Sequence, residues 1–204
     1  MLINVINVNP AIPIPGMLAT SIQKSTQGRI ERIASVVEQS KKYGLDIRFW
    51  EGITTEPLRC SSISKSHKQI VKDAKERKLP MVCIAEDDFI LSAPGAWEFY
   101  LQNIPQDFDL YLGGIYSGQI HENRIMNGFS GFTMYIVHER FYDFFLNAND
   151  VDHIDRALGN FCFEKMYLLC NPFVVYQMEG YSDNHGRDTA HSSYLEKMKL
   201  FGRH

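Results

Sequence analysis

The chain has 204 residues, of which 45% are apolar, 12% aromatic and 22% charged. That length and composition suit one compact domain with a full core and exclude a disordered chain. With 21 Lys and Arg against 24 Asp and Glu the net charge is −3, which lacks the basic excess on which nucleic-acid binding depends. The cysteines Cys60, Cys83, Cys162 and Cys170 form no CxxC pair, so neither a zinc knuckle nor a disulfide framework is expected, and a reducing, cytoplasmic setting fits best. The first residues, MLINVINVNPAIPIPGML, lack a basic leader and are broken by prolines, and no stretch of eighteen apolar residues follows. Neither a signal peptide nor an integral membrane segment is expected.

Residues 2–8 (LINVINV) read as a strand that runs into a Pro/Gly loop, NPAIPIPG, which neither a helix nor a central strand tolerates. Over residues 27–43, Ile30, Ile33, Ala34 and Val37 recur at the three-and-four spacing of one helix face, and Gly44 is the natural stop. Residues 45–50 (LDIRFW) read as a second strand. Residues 62–78 read as a second helix that carries Ile63, His67, Ile70, Val71 and Ala74 on one face and ends before Pro80. His67, on that apolar face, is expected to be a buried histidine that orients a neighbouring strand end.

The run MVCIA, residues 81–85, is continuous and partly β-branched, the signature of a strand buried on both faces of a mostly parallel sheet. Beyond it the spacing predicts helices near 96–103, 139–146 and 151–161 and strands at 108–112, 132–137 and 173–177. The tail from residue 180 is polar, then weakly helical. Strand and helix alternate, so an α/β fold is expected, with a mixed, mostly parallel sheet flanked by helices.

Charge is unevenly distributed. Residues 24–80 hold thirteen Lys/Arg and seven Asp/Glu, whereas residues 81–160 hold three and twelve. Two readings stand side by side: solvated helix faces, or a basic wall for an anion beside an acidic pocket for a cation. Position sharpens the second. Glu86, Asp87 and Asp88 follow the buried strand at its carboxyl end, where open α/β sheets place their ligands. In an extended segment alternate residues point the same way, so Glu86 and Asp88 are expected to converge while Asp87 faces a ribose hydroxyl or a structural amine. Packed carboxylates repel unless a cation intervenes, and hard oxygen ligands suit Mn²⁺ or Mg²⁺ completed by substrate phosphates. The plain alternative is an Asp-rich turn that caps the next helix.

Several segments, in order, resemble glycosyltransferase family 25, the lipopolysaccharide-type sugar transferases: the INV strand, the basic RIERI helix, the strand leading into EGI, SISKSHKQIVKDA, CIAEDDFIL and DLYLGG. GFSGFTMYIVHERFYDFF, HIDRAL and NPFVVYQMEGYSDN continue the resemblance to about residue 187. It implies a single GT-A type domain for nucleotide-diphospho-sugar transfer over residues 1–204, with a nucleotide-binding part at 1–112 and an acceptor-side part and tail at 113–204. It also implies Glu86 and Asp88 as metal-site carboxylates and Asp87 as a donor contact. Asn7, Arg29, Arg32 and Glu51 fall at the family's nucleotide-binding positions, although the proline-rich stretch lengthens the first loop and shifts the usual Arg pair.

The resemblance further implies a second metal ligand from the C-terminal segment, for which His185 in SDNHGR is the candidate and His191 its competitor. For transfer with inversion, one carboxylate takes the acceptor's hydroxyl proton. Asp155, at the start of a helix, is the first choice and Asp152 the second; an ordinary helix cap is the alternative for either. Gly113, Gly114, Gly128, Ser130 and Gly131 are expected to admit a sugar close to the backbone, or else simply to form turns. The resulting expectation is a metal-dependent hexosyltransferase. It would use a nucleoside-diphosphate sugar, UDP-linked by first choice, and a glycan or lipid-linked saccharide acceptor that draws the protein to a membrane surface. A metal-dependent phosphohydrolase or nucleotidyl transferase, and an inactive sugar-binding module, are the competing functions. P-loop and Rossmann glycine motifs are absent from the sequence.

Overall fold

The computed structural model describes residues 1–14, 16–190 and 199–203. The first half alternates as the periodicity predicts: β1 (Ile3–Asn7), α1 (Ala19–Tyr43), β2 (Ile47–Glu51), α2 (Arg59–Glu76) and β3 (Met81–Glu86). A short strand β4 (Phe89–Leu91), α3 (Ala96–Gln102), β5 (Leu110–Leu112), and the hairpin β6 (Ser117–His121) and β7 (Arg124–Ser130) follow. Then come β8 (Met134–His138), a 3₁₀ turn at Glu139–Phe141, α4 (Tyr142–Asn147), α5 (Ile154–Gly159) and four short strands: β9 (Tyr167–Leu169), β10 (Val175–Gln177), β11 (Gly180–Ser182) and β12 (Arg187–Thr189).

Eight strands form one mixed sheet in the order β2-β1-β3-β8-β5-β9-β7-β6. β1 pairs in parallel with β2 and β3, and β8 is inserted antiparallel to both β3 and β5. The pleat sends alternate residues to opposite faces, and each face has its own apolar layer. Val82 and Ile84 of β3 join Tyr135 and Val137 of β8 on one side, with Ile70, Val71 and Ala74 of α2. Cys83 and Ala85 join Ile3, Val5, Met134 and Ile136 on the other, with Val36 of α1 and Trp97 and Tyr100 of α3. Helices therefore cover both faces, as a strand apolar on both sides requires.

Two departures from the sequence reading concern elements that position the cleft. First, α1 begins at Ala19, not residue 27: no Pro or Gly lies between Ala19 and Gln27, so the helix propagates back to the proline loop. Its C-terminus is as expected, with Gly44 in the left-handed conformation at φ 63°. Second, the buried face of α1 is not the apolar stripe. Ile30 is 48% exposed and Val37 is also exposed, whereas Ser25, Gly28, Arg29, Val36 and Gln39 are buried. Gln39 shows why: its Nε2 donates to the Phe89 carbonyl at 3.0 Å and its Oε1 accepts from the Leu91 N–H at 2.8 Å. That face therefore meets polar backbone of β4 as well as the apolar layer that Val36 joins.

Among the described residues no helix is long and apolar enough to cross a membrane.

Candidate functional site

The carboxyl ends of β1 and β3 open into a cleft of about 430 Å³, closed on its far side by the starts of α2 and α5 and by β11. The three carboxylates lie at its floor, but not in the extended form expected. β3 ends at Glu86, whose N–H donates to the Thr133 carbonyl at 3.0 Å, and Asp87 and Asp88 make the turn into β4. All three line the cleft. The turn-capping alternative fails because a strand, not a helix, follows.

Each carboxylate is held by a different element. Asp87 accepts from Arg32 Nε of α1 at 2.9 Å. Asp88 accepts through Oδ2 from the Gln177 side chain of β10, while its Oδ1 is buried with no hydrogen-bond partner among the described residues. Glu86 Oε1 lies 3.5 Å from His67 Nε2 of α2. Burial raises all three carboxyls, and mutual repulsion adds to the rise for Glu86 and Asp88. Glu86 reaches about 8, with Asp155 the largest charge acting on it. Buried, crowded acids of this kind mark sites built to meet a positive charge.

His67 is 1% exposed and held down to about 4 by burial. It is therefore neutral; its Nδ1 shares a hydrogen bond of 2.7 Å with the Tyr135 hydroxyl and its Nε2 faces Glu86. Tyr116 also lines the cleft, its hydroxyl kept protonated by burial and by the neighbouring Asp88 and Glu86.

The Arg pair separates into two roles. Arg32 lines the cleft, donating to Asp87 and, through Nη1, to the Tyr181 carbonyl at 3.0 Å. Arg29 lies behind the wall: Nε donates to Asp183 at 2.7 Å and Nη1 to the carbonyls of Ile12 and Asn9 at 2.7 and 3.2 Å. It pins the proline-rich loop to α1. Asp183 also accepts from Ser25 Oγ at 2.6 Å and lies 3.5 Å from Arg32 Nη2. A chain of four charges thus runs from Arg29 through Asp183 and Arg32 to Asp87. Asn7 and Glu51 end β1 and β2 beside the cleft without lining it; their carbonyls accept from the Gly52 N–H and the Gln69 side chain at 2.7 and 2.9 Å.

Asp155 stands in the first turn of α5 and lines the cleft. Its Oδ2 accepts from the Gly131 N–H and its Oδ1 from the Arg156 N–H, both at 2.8 Å, so backbone fixes its orientation. Asp152 is exposed and outside the lining; its Oδ1 accepts from the His153 N–H at 2.7 Å and its carbonyl from Ser64 Oγ at 3.1 Å. Of the small residues, Ser130 and Gly131 line the cleft, while Gly113, Gly114 and Gly128 do not. A Cβ on Gly114 would stand 2.4 Å from the Val175 carbonyl, so the close approach there is by the chain's own β10, not by a sugar.

His185 lies at the mouth of the cleft. Burial, and then the positive charges of Arg187, His153 and Arg156, hold its imidazole below the ordinary value. Among the described residues no three His, Cys, Asp or Glu side chains converge as a complete metal cage. His191 lies outside the described residues. Asp183, Arg156, Arg187 and His153 were not singled out in the sequence. They sit in loops and short elements between residues 150 and 190, where no periodicity marks them.

No family model matches the chain, and no curated protein sequence matches it. Solved structures do. A glycosyltransferase involved in glycosylation of the major capsid of PBCV-1 aligns over 97% of this chain and 98% of its own, with 10% identity and a TM-score of 0.53. A197 from STIV aligns over 92% and 91%, with 7% identity and a TM-score of 0.53. The inositol-1-phosphate CTP transferase from T. maritima aligns over 100% and 97%, with 9% identity and a TM-score of 0.48. At such identities the likeness is one of fold: the mixed sheet flanked by helices is shared with a glycosyltransferase.

Proposed function

We propose that the protein is a glycosyltransferase that moves a hexose from a nucleoside-diphosphate sugar, UDP-linked by first choice, to a hydroxyl of a glycan or lipid-linked saccharide. The observation that carries this reading is the group of three partly buried carboxylates at the end of β3, with the buried Asp88 Oδ1 unpartnered among the described residues. The fold shared with a glycosyltransferase supports it.

The donor set suits Mn²⁺ or Mg²⁺. Asp88, with its orphaned oxygen, and Glu86 would hold the ion, and donor phosphates would complete a site for which the protein alone offers too few ligands. When bound, such an ion neutralises charge on the departing diphosphate. The chain's own groups do the rest. Arg32 holds Asp87 and so fixes the turn that carries Asp88. Asp155, oriented by two backbone N–H groups, accepts the proton of the acceptor hydroxyl as that oxygen attacks the anomeric carbon. The Tyr116 hydroxyl stays protonated at any working pH, because burial and the nearby Asp88 and Glu86 oppose its ionisation.

The test is a screen of UDP, GDP, CMP and TDP sugars by thermal shift with and without Mn²⁺, followed by product analysis. Sugar transfer liberates the nucleoside diphosphate intact, whereas a phosphohydrolase or nucleotidyl transferase cleaves within the phosphate chain. Asp155→Asn is expected to lower turnover by roughly 10²–10⁴-fold while donor binding persists. Unchanged turnover would remove Asp155 from the reaction, and stabilisation by none of the donors would favour an inactive module.

A further inference from the structure

Two arginines and two histidines gather at the lip of the cleft. His153 and Arg156 flank Asp155 at the start of α5, His185 faces them from the loop between β11 and β12, and Arg187 opens β12. His153, Arg156 and His185 line the cleft, and Arg187 is close enough to act on His185 together with the other two. Four acids of the same region are already engaged. Asp183 is taken by Ser25, Arg29 and Arg32, Asp188 by Lys24 at 3.0 Å, Asp152 by the His153 N–H, and Asp155 by the backbone. Among the described residues neither Arg156 nor Arg187 forms an ion pair, although twelve ion pairs of Lys or Arg are made elsewhere.

We propose that this lip seats a phosphoryl group carried by the acceptor, so that the acceptor is a phosphorylated saccharide. The inference rests on the transferase reading above and goes beyond it in naming the acceptor's charge. Asp155 must touch the acceptor's hydroxyl in that reading, and the residues on either side of it turn toward the same space. The group they attract therefore belongs to the acceptor, whereas the donor diphosphate lies with Glu86 and Asp88. Two guanidinium groups match the charge of a phosphate monoester, which is near −2, and offer paired donors to its oxygens.

Calorimetric titration of glucose 6-phosphate, glucuronate and glucose into the full chain, with UDP and Mn²⁺ present, tests this. Wild type is expected to bind glucose 6-phosphate at least about ten-fold more tightly than glucose or glucuronate, and added salt to erode the difference. Arg156→Gln/Arg187→Gln is expected to abolish that preference. Both arginines are exposed, and an unchanged thermal transition would show that the variant folds. No preference for glucose 6-phosphate in wild type would overturn the proposal, as would equal binding of glucuronate. Loss of UDP binding in the double variant, with glucose 6-phosphate binding intact, would assign the lip to the donor and also overturn it. UDP titrated with Mn²⁺ and without a sugar separates the two readings. If UDP binds and glucose 6-phosphate does not, the acceptor inference falls and the donor reading stands; if only UDP fails, the reverse holds.

Discussion

At the scale of single residues, the site is a set of charges that offset one another incompletely. Arg29 is 1% exposed and Asp183 is its carboxylate partner. Removing one member of a buried pair leaves an uncompensated charge and costs about 3–5 kcal/mol. Asp183→Asn is therefore expected to lower stability by that amount, read as a drop in urea midpoint at unchanged m-value, and a loss below about 1 kcal/mol would deny the pair its role. Glu86 behaves in the opposite sense. Its folded carboxyl titrates near 8, above its unfolded value of 4.5, so the folded state holds the proton longer. Stability from this group is full below pH 4.5 and is lost as pH rises toward 8. In metal-free buffer, wild type is expected to lose on the order of 3 kcal/mol relative to Glu86→Gln across that window, allowing for the 29% exposure of its side chain. Parallel pH profiles of the two proteins would contradict the buried, crowded setting of Glu86. His67 adds the reverse trend in acid: its folded value of about 4 lies below the unfolded 6.5, so its contribution fades as pH falls through that interval.

At the scale of elements, legibility tracks periodicity. β3 was readable because five apolar residues in a row admit few other structures, and α2 because Ile70, Val71 and Ala74 repeat on one face. The inner face of α1 was not readable, because Ser25, Arg29 and Gln39 are buried by hydrogen bonds to Asp183 and β4, and hydropathy cannot see such bonds. β4, β9, β11 and β12 are three residues each, too short to show a period. The triplet's place at a strand end was legible, and its turn was not, because alternation was extended past the point where pairing stops. Gly131 is the loop position where glycine is required: its φ is 107°, and a Cβ would stand 2.7 Å from the Tyr116 ring and 3.0 Å from the Tyr116 backbone N. Its N–H also holds Asp155. Gly131→Ala is expected to cost about 1–3 kcal/mol in a denaturation experiment and to lower turnover as well. Gly128→Ala, at φ 34° with open space around its Cβ, serves as the milder comparison. Equal losses in the two variants would mean that the contact with Tyr116 carries no weight.

At the scale of the whole molecule, the uneven charge of the sequence resolves into a cleft with an acid floor and a basic lip. The acidic middle third supplies the floor through Glu86, Asp87 and Asp88. The basic first half contributes Arg32 to the lining, whereas the lip comes from His153 and Arg156 at the end of the acidic third and from His185 and Arg187 beyond it. The sheet explains the convergence. β8, from late in the chain, lies between β3 and β5, which brings the loop at Gly131 beside the end of β3. The central claim is that the carboxylates at the end of β3 gather a dication and a nucleoside diphosphate together. Calorimetric titration of UDP into wild type and Asp88→Asn, each with and without Mn²⁺, tests it most directly. The account predicts binding in wild type that requires Mn²⁺ and is lost in the variant; UDP affinity equal in all four titrations would contradict it.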